Sequence, residues 1–125
     1  MSSALRIWFL IHFIVDYTFA LPLFLFPAET LSFLGWGNVD PLMPRLVASA
    51  LFAIGGVSLF GYKASKDVYL HLLILKIIWS SSALVAIIIA FLSGVYTLGV
   101  ILGLCFFALF GLVWGYFYLK LKRLS

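Results

Sequence analysis

LRIWFLIHFIVDYTFALPLFLF, residues Leu5 to Phe26, is the stretch whose reading decides the fold. These 22 residues are almost all apolar, broken by Arg6 at the start and by His12 and Asp16 inside. At about 1.5 Å per residue the run matches the roughly 30 Å hydrocarbon core of a bilayer, so it reads as a transmembrane helix. Asp16 then lies about 16 Å from the Leu5 end, where a lone charge costs at least about 2.5 kcal/mol. Another ionisable group must compensate it, and Lys76 is the one found at comparable depth.

The rest of the chain agrees with a lipid solvent. Its 125 residues are 66% hydrophobic and 10% charged, with a mean hydropathy of +1.24, whereas soluble domains carry about 25% charged residues. The length allows one membrane domain spanning 1–125. The net charge of +4 comes from basic residues scattered at segment ends, not gathered on one face, which argues against a nucleic-acid partner. Cys105, the single cysteine, can form no intramolecular disulfide and is expected to be a small packing residue. The first apolar stretch is longer than a signal peptide's and is followed by three more, so it is expected to stay in the mature chain.

Outward from 5–26, the expected spans are 45–62, 68–92 and 97–119. Pro22 predicts a kink or a helix end at Leu21. The connection 27–44 is too apolar for free water. Pro27 suits the first residue of a short helix running to Leu34, Gly35 can stop it in the left-handed conformation, and Asn38 to Pro41 makes a turn. This piece is expected to lie at the membrane interface. Lys63 to Asp67 and Ser93 to Tyr96 are short links. The expected architecture is an all-α, up-down bundle of four transmembrane helices with an interfacial helix between the first two. Arg6, Lys63, Lys66, Lys120, Lys122 and Arg123 fall on one side and only Arg45 on the other. That bias places both termini in the cytoplasm of, most simply, a prokaryotic cell.

Counted from the cytoplasmic ends, Asp16 and Lys76 lie about 16 and 12 Å deep. His12 is one turn from Asp16 on the same face, and Ser80 one turn from Lys76. The expected buried cluster is therefore His12, Asp16, Lys76 and Ser80. Tyr17 points about 100° away from Asp16 and His71 about 140° from Lys76, so neither belongs to it. Three roles fit such a cluster: an ion pair that fixes helix pairing, the polar floor of a ligand pocket, or a proton- or cation-coupling centre. Ser80 to Ser82 are expected to bond to carbonyls one turn back or to neighbouring helices. Trp8, Trp36, Trp114, Tyr62, Tyr96, Tyr116 and Tyr118 read as interface anchors, and Trp79 as core packing. Gly99, Gly103, Gly111 and Gly115 recur at four-residue steps, interrupted by Phe107; they suit close packing against the first or third span, or against a second copy.

No metal-ligand spacing, phosphate loop or activated nucleophile appears, so neither a metal nor a cofactor is expected, and no residue is assigned a catalytic role. The reading these features favour is a non-enzymatic membrane protein that binds a lipid-like or apolar small molecule, or acts as a subunit of a membrane complex. The alternative is a proton-coupled transporter of cationic or amphipathic solutes working through Asp16 and Lys76, as a homodimer. In plan, four short spans with an acidic residue midway through the first, the chain resembles the small multidrug resistance transporters. The likeness is one of plan, and no site of that family is carried over to this chain. In that family the carboxylate is a free glutamate, whereas here it is Asp16 with a candidate lysine partner.

Overall fold

Apolar runs of this length have only one way to satisfy their backbone groups in lipid, hydrogen bonding within a helix. In the computed structural model, described over residues 3–37 and 39–124, all regular structure is helical: α1 (Ser3–Leu25), α2 (Pro27–Phe33), α3 (Leu42–Phe60), α4 (Lys66–Leu92) and α5 (Leu98–Arg123). Among the described residues, α1, α3, α4 and α5 are each long and apolar enough to cross a membrane. The chain divides into two compact units, Met1–Ala64 and Ser65–Ser125.

In the first unit α1 and α3 run antiparallel. As residue numbers rise along α1, their α3 partners fall: Tyr17 meets Phe52 and Phe24 meets Arg45. Ala20 and Ala48, both fully buried, bring the helices close beside Leu23, with Leu31, Leu51 and Phe52 packed around them. Helix α1 continues through Pro22 to Leu25, so of the kink or helix end expected at Leu21 the helix end does not occur. The turn beyond the proline keeps its helical bond and gains a side-chain donor. The Pro22 carbonyl accepts from the Phe26 amide at 2.7 Å and from the Thr30 hydroxyl at 3.0 Å.

Helix α2 begins at Pro27, whose missing N–H is no loss in a first turn. It ends in a Schellman arrangement, with the Gly35 amide donating to the Ser32 carbonyl (3.1 Å) and the Trp36 amide to the Leu31 carbonyl (2.8 Å). Gly35 takes φ 99°, a conformation in which a side chain would be strained. Asn38, the start of the expected turn, lies outside the described residues. Its far end is closed by Asp40, whose Oδ1 accepts from the Leu42 amide at 2.9 Å.

The second unit is a helical hairpin of α4 and α5. It closes with the same kind of cap, Gly94 amide to Phe91 carbonyl and Val95 amide to Ala90 carbonyl, both 3.0 Å, with Gly94 at φ 92°. Thr97 then starts α5 by accepting the Val100 amide on its hydroxyl at 3.2 Å.

Candidate functional site

The first unit carries a buried polar line across the α1–α3 contact. His12 and Asp16, 3% and 6% exposed, sit one turn apart on α1 with Nε2 3.3 Å from Oδ2. Ser58 of α3, fully buried, places its Oγ 3.4 Å from His12 Nδ1 and donates to the Ile54 carbonyl at 3.0 Å. The contact depends on the glycines opposite. A Cβ built on Gly55 would fall 2.8 Å from Asp16 Cβ and 3.2 Å from the Tyr17 ring, and one on Gly56 would fall 3.0 Å from the Tyr17 hydroxyl. Their missing side chains let the α3 backbone lie against α1 at the level of the carboxyl group. Tyr17 fixes the register, donating its hydroxyl to the Phe52 carbonyl at 3.1 Å and lying between the Phe13 ring, tilted at 4.6 Å, and the Phe52 ring, edge-to-face at 5.0 Å.

In the second unit, Tyr69, Leu73, Lys76 and Ser80 form one buried face of α4. Lys76 is only 1% exposed, and its ammonium stands 4.9 Å from the centre of the Trp114 indole. Trp114 is fully buried and stacked on Phe110 at 5.7 Å. It is therefore a floor beneath a buried cation, where the sequence suggested an interface anchor. A cation over a desolvated indole face is stabilised by up to about 2 kcal/mol. Ser80 also departs from expectation. Its hydroxyl has no hydrogen-bond partner among the described residues, whereas Thr18, Ser49, Ser58 and Ser93 each bond to a carbonyl one turn back. Its Cβ faces Gly111 of α5, where a built Cβ would lie 3.7 Å away.

Of the expected cluster, His12 and Asp16 thus meet directly in one unit, and Lys76 and Ser80 share a helix face in the other. Tyr17, set aside from the sequence, packs against Gly55, as Asp16 does, and against Gly56 as well. Ser58 was not anticipated, although it lies three residues after Gly55 and so on the same face of α3. His71 is exposed, with Nδ1 2.8 Å from the Asp67 carbonyl. Two members of the α5 glycine row lie against α4. Gly103 faces Ile87 and Gly111 faces Ser80, but the space around Gly115 is open, and Gly99 is half-buried in the first turn. Cys105 is exposed and does not take the packing role expected of it.

Chemically, an imidazole and a carboxyl group in contact inside a low-dielectric interior can hold a proton between them and hand it on with little movement of heavy atoms. Among the described residues no group of three or more His, Cys, Asp or Glu could hold a metal ion. Compared with known proteins, the chain matches no family model, no curated protein and no solved structure.

Proposed function

We propose that this chain is a small integral membrane protein whose two helical hairpins associate as an up-down four-helix bundle. In this reading both termini are cytoplasmic, α2 lies at the opposite interface, and Asp16 and Lys76 compensate one another's charge. The protein works without covalent chemistry, holding a lipid-like or apolar molecule or serving as a subunit of a membrane complex. The observation that carries this is the outer surface of the helices. Phe60 is 90% exposed, Leu92 78% and Leu112 75%, while His12, Asp16 and Lys76 are turned inward. Apolar surface on that scale is tolerated against lipid or an apolar partner and not against water. The test is mass spectrometry of the protein purified under mild conditions. A stoichiometric apolar ligand or partner subunit is expected, and empty monomers would count against the proposal.

The His12–Asp16 contact of 3.3 Å favours a second reading, proton-coupled movement of small cationic or amphipathic solutes. There, Asp16→Asn abolishes uptake or efflux in vesicles while the protein still folds. Unchanged transport by that variant ends the reading.

A further inference from the structure

Helix α5 is longer than the membrane requires. Its 26 residues extend about 39 Å against a hydrocarbon core of roughly 30 Å, so its last two turns reach the head-group layer. Those turns hold Lys120, Lys122 and Arg123, and the helix contains no acidic residue.

Here the surface is not flat. A shallow, half-open depression on one face of α5 is lined by Tyr116, Leu119, Lys120 and Arg123. These positions recur every three or four residues and so make one strip along the helix. The same strip continues toward mid-membrane through Leu112, 75% exposed. The Lys120 ammonium lies 5.7 Å from the centre of the Tyr116 ring, which holds it at the rim. Lys122 belongs to another face. Its ammonium donates to the Tyr118 hydroxyl at 3.4 Å and lies 5.6 Å from that ring.

We propose that this depression is a head-group site for an anionic phospholipid. Lys120 and Arg123 take the phosphate and the head group's negative charge, the Tyr116 hydroxyl bonds to the glycerol region, and one acyl chain follows Leu119 and Leu112. The strip offers two cations and no carboxylate. It can therefore neutralise an acidic head group, and among its described residues no carboxylate stands to pair with the ammonium of a zwitterionic one. The exposed leucines bind a chain that a free phosphate ester lacks. The inference rests on the membrane reading of α5 and not on what the buried cluster does.

Native mass spectrometry of the full chain in detergent, offered equal phosphatidylglycerol and phosphatidylcholine, tests it. Phosphatidylglycerol should be retained in clear excess. Lys120→Gln and Arg123→Gln should each lower that retention roughly fivefold, the worth of one charge at a membrane surface. Lys122→Gln should change it less than about twofold, and Lys120→Arg should preserve it. A loss with Lys122→Gln equal to the others would mean that only total charge matters, and the site would be withdrawn. Equal retention of both lipids, or displacement of phosphatidylglycerol by soluble glycerol phosphate, would overturn the proposal as well. Retention of neither lipid would overturn the site and leave the membrane reading of α5, which rests on its length and hydropathy, standing.

Discussion

At Gly55 an added methyl group would have nowhere to go. It would lie 2.8 Å from Asp16 Cβ, an atom fixed to the α1 backbone that no rotamer change can move. At Gly103 the close atom is Ile87 Cδ1, at 2.7 Å, the far end of a flexible chain. At Gly115 nothing lies within 4 Å. We predict that Gly55→Ala destabilises the protein by about 1–3 kcal/mol through overpacking. Gly103→Ala should change stability by less than about 1 kcal/mol, because Ile87 can turn aside. Gly115→Ala should be neutral or stabilising by up to about 1 kcal/mol, the gain in helix propensity. Thermal midpoints in detergent give the ranking, and three equal midpoints would contradict it. Trp114 allows a second measurement of the same kind. Trp114→Leu removes the aromatic face under Lys76 and should lower the midpoint more than Trp114→Phe, which keeps one. The sequence placed these residues on the correct helices, but it could not show their separations. Helical spacing says which way a side chain points and leaves open how near the next backbone comes. Trp114 was misread for that reason: a tryptophan near a helix end is usually an anchor, and only the position of Lys76 makes this one part of the interior.

At the level of helices, the legible parts were those governed by backbone dihedrals. Pro27 and Gly35 bracket α2 because one fits a first turn and the other can adopt positive φ. Pro22 does not end α1, because whether a proline ends a helix depends on the tertiary contacts of the turns around it, which are not a local property. Here Thr30 serves Pro22, and Arg45 donates from Nε to the Phe24 carbonyl at 3.0 Å with its guanidinium 5.9 Å from the Phe24 ring. From the sequence Arg45 was only an exception in the charge count. It is a C-cap for α1 supplied by α3. We predict that Gly35→Ala, which places a Cβ in the left-handed region at a cost of about 1–2 kcal/mol, accelerates hydrogen exchange of the Gly35 and Trp36 amides. Exchange in the middle of α1 and α3 should be unchanged. Uniform acceleration across all three helices would mean that α2 is not a separately capped unit.

For the whole chain, hydropathy shows that four helices are apolar enough for lipid but says little about how they pair, because lipid and a packed neighbour are equally apolar. Pairing is written instead in small residues and rare polar groups: Ala20 against Ala48, Gly55 against Asp16, Gly111 against Ser80. The proposed compensation between Asp16 and Lys76 rests on their depth along the sequence, and a double-mutant cycle decides it. If each charge makes the other tolerable, Asp16→Asn or Lys76→Met alone should destabilise by about 3–5 kcal/mol, because the remaining charge is stranded in a dry interior. The combined variant, which strands neither, should be more stable than either single one. The same cycle, read by transport, separates structure from function. A stable double variant that still transports assigns the pair to folding alone, and a stable but inactive one assigns Asp16 to coupling. If instead the two single effects simply add, the charges are compensated independently. His12, at 3.3 Å, would then be the partner that matters for Asp16, and the Trp114 ring, at 4.9 Å, the one that matters for Lys76.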